Sequence, residues 1–114
     1  MLGASISLAV LRSFSAMKVV GYTHRPSTRA KARELAVASE IVDRMNQSVS
    51  SADLVILATP ICTFESIFSE IADALPRGCI VTDVGSTKAQ PHRWAAKKLP
   101  GTVHYVGSHP IAGS

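Results

Sequence analysis

Apolar residues fall along this chain in short runs that switch between the two-residue period of a strand and the three-to-four-residue period of a helix. Ile6, Leu8, Val10 and Leu11, set among small residues, predict a tightly packed helix over 3–14. The β-branched run at 18–22 predicts a strand, and Pro26 and Ser27 set up a helix over 28–38. A weaker strand is expected at 40–42, then a polar loop over 46–51. Residues 52–58 carry the strongest strand signal, continuously apolar after Asp53 and ended by Thr59-Pro60. Such a run suits a central parallel strand covered on both faces. Phe64, Ile67, Phe68, Ile71 and Leu75 recur at helical spacing, with Glu65, Glu70 and Asp73 between them, and predict a helix over 61–75. Pro76-Arg77-Gly78 closes it. A strand over 79–84, a helix through Trp94 to Lys98 and a last strand over 103–106 complete the pattern. Regular alternation of strand and helix predicts an α/β fold with a doubly wound parallel sheet. The chain opens on its helix with no strand ahead of it, so the first strand of that sheet is expected to be missing.

Composition narrows this reading. A chain of 114 residues, 46% apolar and 18% charged, holds one domain at most, folded around a core. The net charge of +4 is spread without a long basic run, and aromatics make up 5%. That argues against nucleic-acid binding and for a phosphorylated small ligand. Cys62 and Cys79 lack metal-ligand spacing and are expected to be buried reduced thiols, which suits a cytoplasmic protein. Residues 2–10 are apolar, but no basic segment precedes them and Arg12 follows at once, so neither a secretory signal nor a membrane span is expected.

Four places could carry chemistry. Leu2-Gly3-Ala4-Ser5 opens a helix, where Gly3 could be the last glycine of a dinucleotide-binding turn; a helix-starting glycine without a ligand is the better reading of that segment alone. Tyr22-Thr23-His24-Arg25-Pro26-Ser27-Thr28-Arg29 follows a strand and contains no carboxylate. An acidic residue in such a loop accepts the ribose 2′-hydroxyl of NAD, whereas a 2′-phosphate wants cations and hydroxyl donors, so the loop favours NADP with NAD as the alternative. A solvated basic loop with Ser27 or Thr28 capping the helix explains the same residues equally well. Val81 to Lys88 delivers Ser86 and Thr87 to a helix entrance, where either could be a simple cap. Gly107-Ser108-His109-Pro110 places His109 just past the last strand, at the sheet edge where ligands of open α/β sheets sit, with Pro110 restraining its backbone. A buried core histidine is the competing reading. His24, His92 and His104 form no metal-ligand pair, and no metal is expected.

The joint occurrence of Leu2-Gly3-Ala4-Ser5, Val19-Val20-Gly21-Tyr22, the 52–60 segment through Ala58-Thr59-Pro60, Ile80-Val81-Thr82-Asp83-Val84-Gly85-Ser86-Thr87-Lys88 and Val106-Gly107-Ser108-His109-Pro110-Ile111-Ala112-Gly113-Ser114 resembles the prephenate/arogenate dehydrogenase family of tyrosine biosynthesis. The resemblance covers essentially the whole chain. It implies a Rossmann-like nucleotide-binding domain over 1–114, incomplete at its amino end and lacking the family's helical carboxyl-terminal domain. It further implies oxidative decarboxylation of prephenate or arogenate, with His109 as general base and Ser86 hydrogen-bonding both the histidine and the substrate hydroxyl. Thr59 and Pro60 would line the nicotinamide-ribose side and Gly3 would lie under the pyrophosphate. Thr23, His24, Arg25, Ser27 and Thr28 would meet the adenosine end. A homodimer is expected of the full-length enzyme, and no turnover of the 114-residue chain alone. Two other readings are a non-catalytic nucleotide-binding module and a dehydrogenase of the β-hydroxyacid type; the latter normally carries a catalytic lysine in a later helix, and the GSHPIAGS ending weighs against it.

Overall fold

In the computed structural model, which describes residues 2–14, 16–84 and 89–107, the chain divides between Val49 and Ser50 into two units, each built on its own parallel sheet. The amino-terminal unit begins with α1 (Leu2–Ser13), whose last turn is extended by the Phe14 N–H donating to the Val10 carbonyl at 2.8 Å. The Ser7 hydroxyl donates to the Val37 carbonyl and ties α1 to the segment that follows the second helix.

Strands β1 (Val20–Gly21) and β2 (Glu40–Ile41) pair in parallel, Val20 opposite Glu40 and Gly21 opposite Ile41. Both are shorter than the apolar runs that announce them, although flanking bonds from Glu40 N–H to Val19 and from Val42 N–H to Gly21 extend the ladder. Gly21 lies against its partner strand's side chain: a Cβ there would stand 2.9 Å from the Ile41 Cδ1 atom, whose end would have to shift to admit it.

Between them, α2 (Pro26–Glu34) starts two residues before the expected position and ends four before it. Pro26 occupies the first helical position, where a missing N–H costs nothing and the fixed φ suits the helix. Arg25 is therefore the N-cap residue, in extended backbone and without a side-chain cap bond, so neither Ser27 nor Thr28 caps the helix. The early end has a local cause. Ala36 adopts φ 52°, its N–H donates to Arg33, and the Val37 N–H donates to Ala32, which together make a Schellman closure. The expected polar loop instead contains α3 (Met45–Val49), with Val49 buried and the Ser48 hydroxyl donating to the Met45 carbonyl at 2.6 Å.

The carboxyl-terminal unit holds β3 (Leu54–Leu57), β4 (Ile80–Asp83) and β5 (His104–Gly107), adjacent in that order and all parallel. A single 3-10 turn at Ile61–Thr63 leads into α4 (Phe64–Ile71), and α5 (Ala89–Lys98) joins β4 to β5. Phe64, Ile67, Phe68 and Ile71 are all buried, the helical face that their spacing predicts. Phe68 stacks edge-on against Tyr105, ring centroids 5.7 Å apart, so α4 packs on the sheet face formed by Val55, Leu57, Val81, Asp83 and Tyr105. Leu75 is also buried, but it lies past the helix end in a series of turns.

On the opposite face Leu54 is 52% exposed and Val106 55%, with Ile56 and Ile80 exposed between them. The expectation that the 52–58 strand is covered on both faces is thus corrected: in the described structure helices cover one face, and a continuously apolar run does not by itself state how many faces are packed. Cys79 is buried as expected, whereas Cys62 is exposed, because it stands in the 3-10 turn ahead of the amphipathic helix and outside its buried face. Among the described residues no helix is long and apolar enough to cross a membrane.

Candidate functional site: two strand edges

Each sheet presents one candidate cluster at the carboxyl ends of its strands. In the amino-terminal unit these ends lead to Tyr22-Thr23 after β1 and to Val42-Asp43 after β2, side by side because the strands are parallel and in register. The loop of 23–28 runs from the first of these points into α2. His24, Arg25 and Ser27 are exposed, while Thr23 and Thr28 are half-buried. Arg25 makes no ion pair with any described residue, which leaves its guanidinium open to an anion.

Arg29 behaves differently from its neighbours in the sequence. Its side chain is only 12% exposed; Nη1 donates to the Thr23 carbonyl at 2.7 Å, and Nε donates to Asp43 Oδ1 at 3.1 Å. The guanidinium carbon also stands 5.5 Å from the centre of the Tyr22 ring. One turn further along α2, Arg33 donates through Nη2 to the same Asp43 oxygen at 2.8 Å and to the Ile41 carbonyl at 2.9 Å. The hydrogen bond from Arg33 holds the Asp43 carboxyl below its ordinary range, with Arg29 adding to the effect against some loss of solvation. Sequence reading grouped Arg29 with the loop's phosphate-binding residues and gave Asp43 no part. The signal available was the pair of arginines four apart on one helix face, two like charges in want of an acid.

In the carboxyl-terminal unit the three strands end level, Leu57 beside Asp83 and Asp83 beside Gly107. Thr59 and Pro60 follow β3 by two and three residues and are exposed. The Thr63 hydroxyl donates to the Pro60 carbonyl at 2.6 Å and lies 3.0 Å from the Thr59 hydroxyl, which fixes the start of the turn into α4. Ser86 and His109, three residues past β4 and two past β5, lie outside the described residues, as do Gly85, Thr87 and Lys88. Gly3 stands in the first turn of α1. His24 and His104 are both exposed. Among the described residues no group of His, Cys, Asp or Glu could hold a metal ion.

Asp83, the last residue of β4, is half of a polar pair at this edge that the sequence did not announce. Asp83 is fully buried, and the Tyr105 hydroxyl donates to its Oδ1 at 2.9 Å. Burial pushes the phenol pKa up from its ordinary value, and the bond to Asp83 pushes it further. Burial likewise raises the Cys79 thiol, with the charge of Asp53 contributing.

Parallel strands joined through helices, a basic turn after one strand and an ordered carboxyl edge on the second sheet define a Rossmann-like nucleotide-binding domain. Residues 6–114 match the family model described as "Prephenate dehydrogenase, nucleotide-binding domain", and the chain belongs to that family. It is 31% identical over 115 residues to the prephenate dehydrogenase of Bacillus subtilis, covering 100% of this chain and 31% of that protein. Among solved structures it is similar to prephenate dehydrogenase from A. aeolicus in complex with hydroxyphenyl propionate and NAD+, with a TM-score of 0.85 and 30% identity over 99% of this chain and 39% of the other. Synechocystis arogenate dehydrogenase gives a TM-score of 0.84 at 27% identity, over 99% of this chain and 38% of the other. The chain therefore spans between 31% and 39% of the length of these relatives.

Proposed function

We propose that the chain is the nucleotide-binding part of an NADP-dependent dehydrogenase that oxidatively decarboxylates prephenate or arogenate. Membership of the family supports the reaction class, and the structural observation that carries the site is the level carboxyl edge of β3, β4 and β5. Neighbouring strands lie about 4.8 Å apart. Thr59-Pro60 follow β3 at that edge, and in this reading the segments that follow β4 and β5 contribute Ser86 and His109 to the same site.

When bound, the nicotinamide supplies the acceptor for the hydride leaving the substrate's hydroxyl-bearing ring carbon. His109 takes the proton of that hydroxyl as the general base. Ser86 hydrogen-bonds the imidazole and the hydroxyl and so aligns the proton with its acceptor. As the carbinol becomes a carbonyl, the ring carboxylate departs as carbon dioxide; its bonding electrons complete the aromatic ring and pass charge to the carbonyl oxygen, which takes the proton back from His109 to become a phenol. Thr59 and Pro60 border the nicotinamide ribose, and Gly3 lies under the pyrophosphate. Groups that hold the substrate carboxylates belong to the part of such an enzyme outside residues 1–114, which in full form is a homodimer.

Preference for NADP rests on the exposed Arg25, which has no acidic partner among the described residues, together with His24 and the hydroxyls of Ser27 and Thr28. Binding of NADP+ and NAD+ to the purified chain, measured by calorimetry, tests this. Tighter binding of NADP+ is expected, with a loss of about tenfold or more in Arg25→Asp, as befits a charged hydrogen bond replaced by a repulsion. Tighter binding of NAD+, or an unchanged NADP+ affinity in Arg25→Asp, overturns it. The chain alone is expected to bind nucleotide without turning over prephenate or arogenate; NADPH formation by it would show that the substrate side is already present.

A further inference from the structure

Cofactor loops of this fold select between the two dinucleotides by charge: a carboxylate accepts the ribose 2′-hydroxyl, and a cation receives the 2′-phosphate. The loop of 23–28 contains no acid, but the fold brings one beside it. Asp43 follows β2 as Thr23 follows β1, and the strands are in register. Arg29 physically joins the two points, with one nitrogen on the Thr23 carbonyl and another on Asp43 Oδ1. We propose that Arg29 and Arg33 mask Asp43, so that the carboxylate nearest the cofactor loop is withheld from the ribose and its charge is cancelled where a 2′-phosphate would sit. Arg29 and Arg33 are then specificity-determining residues that never touch the cofactor, and Arg25 is the one that does. The inference rests on the NADP reading given above.

Contacts outside the carboxylate set the arrangement of this exposed ion pair. A lone surface salt bridge contributes little, because holding two long side chains in one pose costs entropy that high-dielectric attraction barely offsets. Here each arginine is already anchored elsewhere. Arg29 is fixed by the Thr23 carbonyl and the Tyr22 ring, and Arg33 by the Ile41 carbonyl. Both guanidiniums converge on the same carboxylate oxygen, at 3.1 and 2.8 Å. Two cations facing one anion leave the neighbourhood net positive. Loss of Arg33 would leave one cation against one anion, with the carboxylate freer to turn toward the loop.

The test uses the whole chain and two half-cofactors, adenosine 2′,5′-bisphosphate and 5′-AMP, with affinities read by calorimetry and by amide chemical shifts of residues 22–44. The ratio of the two affinities is expected to fall about fivefold in Arg33→Met, a size set by one charge acting through partly screened solvent. It is expected to return to the original value in Arg33→Met/Asp43→Asn. The control Arg33→Met/Glu40→Gln restores the same net charge away from the loop and should leave the ratio low. Arg33→Lys, which keeps the charge with the least disturbance of α2, should keep most of the original ratio and serves if Arg33→Met does not fold. An unchanged ratio in Arg33→Met, or a ratio that the Asp43→Asn partner substitution does not restore, overturns the mask. Absence of any preference for the bisphosphate in the unsubstituted chain would instead overturn the NADP reading, and tighter 5′-AMP binding in Arg33→Met would still sustain the mask.

Discussion

Tyr105 on β5 donates its phenolic hydrogen to Asp83 on β4 across 2.9 Å, a diagonal contact, since the residue directly opposite Tyr105 is Val81. It joins the last residue of β4 to the residue two before the end of β5, next to the points from which the Ser86 and His109 segments depart. A carboxyl with no exposure is tolerated only where donors reach it. Replacing the phenol by Phe removes one such donor while keeping the ring that packs on Phe68. Tyr105→Phe is therefore expected to lower the unfolding free energy by about 1–3 kcal/mol. Denaturant melts of the two chains check this, and a difference below the error of the measurement would show that Asp83 is held sufficiently by its other contacts.

The same bond gives the stability an alkaline limit. The folded pKa of Tyr105 lies above the unfolded value of about 10. The contribution of the neutral, hydrogen-bonded phenol is therefore complete below about pH 10 and is lost progressively as the pH climbs from there toward the folded pKa. Measured as a function of pH, the stability gap between the parent chain and Tyr105→Phe is expected to be flat through neutrality and to close above about pH 10. A gap that keeps its size at high pH would mean that the phenol's protonation is not coupled to folding.

What the sequence disclosed depended on whether a signal was local. Helix α4 was readable because Phe64, Ile67, Phe68 and Ile71 repeat on one helical face, and all four are buried. The five strands were readable from their apolar runs, though not their lengths, since ladder pairing and not side-chain type sets where a strand stops. Helix α3 was not readable: Met45-Asn46-Gln47-Ser48-Val49 is mostly polar, and only packing of Val49 favours a helix over a loop. Arg29 illustrates the same limit at the site. Its composition-level reading as a phosphate ligand was reasonable, and only the parallel register of β1 and β2, which sets Asp43 beside Thr23, turns it inward. Ser86 and His109 owe their proposed roles to motif resemblance, because a serine before a helix and a histidine after a strand have no periodicity to betray them.

Gly78 closes the turn before β4. The Cys79 N–H donates to the Pro76 carbonyl at 3.1 Å and Gly78 has φ 82°, the third position of a type II turn. A Cβ there would meet nothing within 4 Å, so the cost of Gly78→Ala is conformational alone. A loss of about 1 kcal/mol is expected, without change in the mutual packing of α4 and the sheet. Thermal melts with spectra of the Phe68 and Tyr105 rings separate the two effects; a neutral result would show that the turn relaxes to a type without positive φ.

Ala36 presents the complementary case, a side chain where glycine would be preferred. It holds φ 52° at the C′ position of the closure of α2, with the Ala36 and Val37 N–H groups donating back to Arg33 and Ala32. An L-residue is strained in this region, and a residue without a Cβ is not. Glycine also gains freedom in the unfolded chain, which offsets part of the relief. Ala36→Gly is expected to stabilise the chain by about 0.5–1 kcal/mol. Because the substitution lies at the opposite end of α2 from Arg25, affinity for adenosine 2′,5′-bisphosphate should be unchanged while the amides of 32–37 exchange more slowly. Faster exchange there would mean that the closure draws on the alanine methyl for packing, and that the backbone strain is the smaller of the two effects.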